Sequence, residues 1–137
     1  MTVADVLRES GVCENEDHVQ RLTAELARIG ADAVQRLPLV SAQELENMGL
    51  PMCMTRELTR CFSEFQTVAL AFKKGSSYQQ WLAALELSLY EQAFHKMGFK
   101  TRNTIMNINQ NDATAMGILK AIHIRHLFMS VTLTQNQ

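Results

Sequence analysis

Apolar residues recur along this chain at three- and four-residue intervals almost throughout, the period of a helix and not of a strand. Val3, Val6 and Leu7 predict a short amphipathic helix. Cys13-Glu14-Asn15-Glu16-Asp17 reads as an acidic loop ending in a cap. Val19, Leu22, Leu26 and Ile29 then predict a longer helix that stops at Gly30. Asp32 is placed to cap a short helix carrying Val34 and Leu37, which Pro38 closes. Ser41 and Glu44 have capping-box spacing for a helix ending at Gly49. From Thr55, the stripe Leu58, Phe62, Phe65, Ala69 and Phe72 predicts one long helix that fades at Lys73-Lys74-Gly75-Ser76-Ser77, the best linker in the chain.

The second half repeats this order. Trp81, Leu82 and Leu85 start a helix, and Leu87, Tyr90 and Phe94 continue an apolar face toward Gly98. Ile105 and Ile108 mark a short helix, Asn109 and Asp112 a second capping pair, and Gly117 its end. Ile124, Leu127, Phe128 and Val131 predict a last helix, with Thr132 to Gln137 as a polar, frayed tail. The repeat is explicit in one phrase. Ser41-Ala42-Gln43-Glu44-Leu45-Glu46-Asn47-Met48-Gly49-Leu50 is answered 68 residues on by Asn109-Gln110-Asn111-Asp112-Ala113-Thr114-Ala115-Met116-Gly117-Ile118. Each copy has a polar cap, an acid three positions later, Met-Gly and an aliphatic residue. A fixed internal period indicates repeated structural units. The expected fold is therefore all-α, two tandem five-helix bundles over residues 1–72 and 81–137 with a linker at 73–80.

Composition narrows the function. Of 137 residues, 47% are hydrophobic and 20% charged, so a packed core is expected. No apolar run approaches the roughly 18 residues of a membrane span, and the N-terminus lacks a signal-peptide pattern. Cys13, Cys53 and Cys61 are odd in number and lack metal-ligand spacing, which predicts reduced thiols and a cytoplasmic setting. No GxGxxG, Walker A, GxSxG or HExxH motif occurs, so no enzyme, cofactor, small-molecule substrate or membrane role is expected. His123 and His126 are three apart on a helix, but four ligands make a structural zinc site and no further ligand joins them by sequence. Exposed or partner-facing imidazoles are expected, pH-sensitive beside Arg125. The net charge of −1 conceals a division. Residues 1–72 hold 11 acids and 6 bases, whereas residues 73–137 hold 3 acids and 7 bases. Such opposed halves, or their copies in neighbouring molecules, attract.

The second half resembles a sterile alpha motif (SAM) domain. Trp81-Leu82, the run Leu85, Leu87, Tyr90 and Phe94, then Phe99, Ile105 and Ile108, the cap Asn109-x-x-Asp112, and Met116-Gly117-Ile118 match the family pattern in order over about residues 79–132. His123 stands where the family often has the His of Gly-His-Arg, but Ile122 and Ile124 replace its Gly and Arg, which implies a more apolar surface there. The first half, with Val6-Leu7 in place of Trp-Leu, an inserted acidic loop and a segment from Gly49 to Leu58 one residue short, resembles a divergent second copy. A bundle of the death-domain type is the alternative for this half.

The resemblance implies a protein–protein interaction module: a scaffold or adaptor segment that self-associates or binds another SAM domain, acting as a homo-oligomer or as an intramolecular pair. In the family an acidic mid-loop face meets a basic end-helix face head to tail. Carried over, the acidic candidates are Asp32, Glu44 and Glu46, and the end-helix candidates are Lys120, His123 and Arg125, with Leu119 and Ile122 as apolar anchors. RNA binding through Lys96, Lys100, Arg102, Lys120 and Arg125 is the weaker alternative. Met48, Met52 and Met54 surround Pro51 and are expected to fill core, with partner contact as the alternative. Trp81 and Tyr90 are expected in the core.

Overall fold

A computed structural model describes residues 1–68 and 70–136. Helices and turns account for the regular structure among these residues, with no strand. The chain divides into two compact units, Met1–Thr67 and Val68–Gln137. None of these helices is long and apolar enough to cross a membrane.

In the first unit, α1 (Val3–Ser10) opens with a capping box in which Thr2 and Asp5 satisfy each other's backbone N–H groups. α2 (Glu16–Arg28) is capped by Asn15 and closed by Gly30 at φ 102°, where the Ala31 N–H donates to the Leu26 carbonyl at 2.8 Å. A 3₁₀ segment, Val34–Leu39, follows. Asp32, expected to cap it, stands one residue before the cap position. Ala33 holds the cap position without a side-chain bond, and Pro38 lies inside the segment. α3 (Ala42–Asn47) carries the expected Ser41–Glu44 box, and α4 (Met52–Phe62) packs on α1, α3 and the 3₁₀ segment. Leu7, Leu22, Leu26, Leu37, Leu45, Leu58 and Phe62 are buried between these elements.

The second unit contains α5 (Tyr78–Ala84), a 3₁₀ turn (Ser88–Tyr90) running into α6 (Glu91–Lys96), α7 (Arg102–Ile105), α8 (Gln110–Ala115) and α9 (Ala121–Gln135). Its core is aromatic at one end. Trp81 lies between Phe72 and Phe94, with ring centroids 5.4 and 6.1 Å apart, and Tyr90 is buried beside them. Glu86 takes φ 57°, a left-handed conformation usually given to glycine, so that the Leu87 N–H can reach the Leu82 carbonyl at 2.8 Å.

The long helix expected from Thr55 to Phe72 does not form. α4 starts three residues earlier and ends at Phe62, Val68, Leu70 and Phe72 are non-helical, and Ala69 lies outside the described residues. The reason lies on α9. His126, Ser130 and Thr134 recur every four residues and form a buried polar stripe. His126 Nε2 is 2.6 Å from the Val68 carbonyl, which only accepts, so this nitrogen carries the proton. The Ser130 hydroxyl donates to the Leu70 carbonyl and accepts from Trp81 Nε1 at 2.7 Å. Thr134 Oγ1 accepts from the Phe72 N–H at 2.8 Å, and Arg102 Nε donates to the Phe72 carbonyl at 3.1 Å. Backbone groups that a helix would have satisfied internally are satisfied here by side chains. Thr132 to Gln135, expected to fray, instead complete α9, and Gln135 donates to the Met106 carbonyl; Gln137 lies outside the described residues.

Thr134→Val keeps the shape and removes the acceptor for the buried Phe72 N–H. It is expected to cost about 1–3 kcal/mol in urea unfolding. The exposed Thr132→Val is expected to stay within about 0.5 kcal/mol, and equal effects would contradict the pairing.

Candidate protein-docking surface

The start of α9 is fixed by the turn before it. Asn109 and Asp112 bond each other's backbone N–H groups at 2.9 and 3.1 Å. Gly117, at φ 83°, then reverses the chain, its N–H on the Thr114 carbonyl and that of Ile118 on the Ala113 carbonyl, each at 3.0 Å. These two hydrogen bonds close α8 and carry Ile118 into the core at 1% exposure. The next residue, Leu119, is 73% exposed. Lys120 is half-buried at the N-cap of α9, with no side-chain capping bond, and Arg125 is exposed beyond the first turn.

Two of the expected end-helix residues do not share this surface. Ile122 and His123 are fully buried. His123 Nδ1 is 2.6 Å from the Tyr90 hydroxyl, with the rings edge to face at 5.6 Å. α9 turns these two residues inward because its next turn is pinned by Leu127 and the His126 stripe. His126 is likewise buried rather than partner-facing, and Ile124 packs against the core, so with Ile122 buried neither isoleucine makes the surface more apolar. Among the described residues no group of three or more His, Cys, Asp or Glu is placed to hold a metal ion.

The expected acids of the first unit also divide. Asp32 binds the guanidinium of Arg36, which is only 2% exposed, so this carboxylate counterbalances a buried charge. Glu44 accepts the Ser41 N–H at 2.9 Å. Glu46 is exposed and lines a groove of about 390 Å³ with Ala42, Met52, Thr55, Arg56 and Thr59. Further along α4, Arg60 holds the Glu57 carboxyl below its ordinary range through a side-chain hydrogen bond, and burial pushes the Cys61 thiol up.

The methionines differ from the core filling expected of them. Met52 is 62% exposed, and Met48 and Met54 are half-buried. Met48, Gly49, Leu50, Pro51 and Met54 line one wall of a cleft of about 520 Å³ whose other wall is the start of α2: Glu14, Asn15, Asp17, His18 and Arg21. Pro51 stands at the N-cap of α4, which therefore starts at Met52.

The 68-residue interval reaches further than the phrase that revealed it. Leu37 and Ile105, Val40 and Ile108, Leu45 and Ala113, and Leu50 and Ile118 are each separated by it, and all eight are buried. After Gly49 two residues precede α4, and after Gly117 three precede α9, the one-residue deletion expected.

Comparison with known proteins falls on the second unit. The family model of the SAM domain (sterile alpha motif) matches residues 72–133. Ephrin type-B receptor 6 of Rattus norvegicus and of Mus musculus are each 34% identical to the chain over 68 residues, 50% of this chain and 7% of the receptor's length. The matched segment starts at Phe72, which is the residue whose ring enters the second core. Residues 72–133 thus match the SAM domain, a family of protein–protein interaction modules.

Proposed function

We propose that the chain is an intracellular scaffold or adaptor segment of two tandem SAM-like modules, the first divergent, that associates with copies of itself or with another SAM domain. The observation that carries this reading is the end of the SAM domain at residues 72–133. Its most exposed apolar side chain, Leu119, stands next to Lys120 and six residues before Arg125. The second unit carries 7 bases against 3 acids, and the first carries 11 acids against 6 bases. Complementary potentials of this kind steer encounter and set register, while a few desolvated apolar side chains supply the affinity. The shared 68-residue interval, the paired capping boxes and the matched glycines at φ 85° and 83° support reading the first unit as a second copy.

The basic partner surface in this reading is Leu119, Lys120 and Arg125, without Ile122 and His123. Of the acids, Glu46 belongs to docking. Asp32 and Glu44 have structural work and act on docking through the field they contribute. RNA binding through Lys96, Lys100, Arg102, Lys120 and Arg125 loses support from Arg102, which donates to the Phe72 carbonyl.

The double substitution Lys120→Glu with Arg125→Glu is expected to weaken self-association or SAM binding at least about tenfold in sedimentation velocity, with the thermal midpoint little changed. Unchanged association would contradict the surface. Asp32→Asn is expected to behave differently: it removes the partner of buried Arg36 and should cost about 1–3 kcal/mol of stability in urea unfolding. A stable Asp32→Asn chain with weakened association would return Asp32 to the docking face.

A further inference from the structure

The methionine-lined cleft of the first unit sets the end of the repeated phrase, Met48 to Leu50, against the acidic segment that the second half lacks. One wall is apolar and adaptable: two half-buried thioethers, Met48 and Met54, with Leu50 and Pro51. The opposite wall is the first turn of α2, with Glu14 and Asp17 on its rim and Arg21 one turn along. Among the described residues no ion pair engages Glu14 or Asp17. Glu46 lies two residues before Met48, so a third carboxylate belongs to the same end of α3. A cleft of about 520 Å³ with this lining suits an apolar side chain followed immediately by a cation.

We propose that this cleft is the seat of Leu119 of a second copy of this chain, with Lys120 against the Glu14 and Asp17 rim. The inference rests on the association proposed above and names its apolar contact. Leu119 is more exposed than any other large apolar residue among those described, and its neighbour Lys120 carries the complementary charge. Two other exposed apolar side chains of the second unit that have charged neighbours fit less well. Leu89, at 64% exposure, stands between Glu86 and Glu91, like charges to the rim. Met97 stands between Lys96 and Lys100, the right sign, but is 42% exposed. This knob and this cleft lie on different units, so copies joined through them make a heterologous contact that propagates or closes as a ring.

The test places the photo-crosslinker p-benzoylphenylalanine at position 119 of the full chain. Nitrogen-15-labelled and unlabelled protein are mixed before irradiation, and the cross-linked peptides are mapped. Mixed-label peptides joining residue 119 to Met48 or Met54 are the expected result. Same-label peptides alone would overturn the second copy as occupant, and mixed-label links to the Asp32 or Glu44 segments, or from a crosslinker at 97 instead, would overturn the seat. In parallel, Met54→Glu is expected to weaken association at least about tenfold in sedimentation velocity, while Met97→Asp changes it less than about twofold. Circular dichroism melts separate lost folding from lost docking, and Met48→Glu on the same wall serves if Met54→Glu unfolds. Association that Lys120→Glu with Arg125→Glu abolishes but Met54→Glu leaves intact sinks the seat alone. A chain that stays monomeric at every concentration sinks the seat together with the self-association arm of the parent reading, and leaves only binding to another SAM domain.

Discussion

The turn between α8 and α9 is the constraint on which the docking surface depends. Asn109 and Asp112 start α8, and Gly117 ends it in a left-handed conformation that a side chain would strain. Between them they force Ile118 inward and Leu119 outward, and they set where α9 begins. Half-buried Lys120 and exposed Arg125 inherit their placement from that geometry. The first unit uses the same device at Ser41, Glu44 and Gly49, with Leu50 inward and Met52 outward. One local solution therefore gives each unit an exposed apolar residue beside the start of its last helix.

That device was legible because capping is local. The residues of a capping box lie three apart, and a left-handed glycine follows the helix it closes, so both can be found without tertiary information. The aromatic and aliphatic core of residues 72–133 was legible for a related reason: its members keep helical spacing. What the spacing misreported was the stretch after Phe62. Leu58, Phe62, Phe65 and Phe72 fit one helical stripe, but the backbone near Leu70 is held by Ser130 and Thr134, some 60 residues away in sequence. Polar residues near the end of α9 look like a solvated tail unless that distant partner is known. His123 was misplaced in the same way, since only its distance to Tyr90 reveals that its ring is buried.

The charge division was legible in the tally, and moving the boundary from residue 72 to 67 leaves it unchanged because residues 68–72 are uncharged. The tally did not say which charges are committed within the fold. Asp32 serves buried Arg36, Glu44 serves the Ser41 backbone, and Glu16 is bound by Arg8 at 3.0 Å. Of the carboxylates left on the surface, Glu14, Asp17 and Glu46 flank the outward-facing methionines. Exposed charge beside adaptable apolar surface is the composition of a docking patch, with salt-sensitive encounter and desolvated affinity assigned to different residues.

Sedimentation equilibrium of the full chain across a concentration series, at about 50 mM and about 500 mM salt, tests this account most directly, because the Debye length shrinks over that range to a few ångströms. The account expects reversible self-association at low salt that weakens several-fold at high salt. A chain that stays monomeric at low salt, or whose association strengthens with salt, would contradict it.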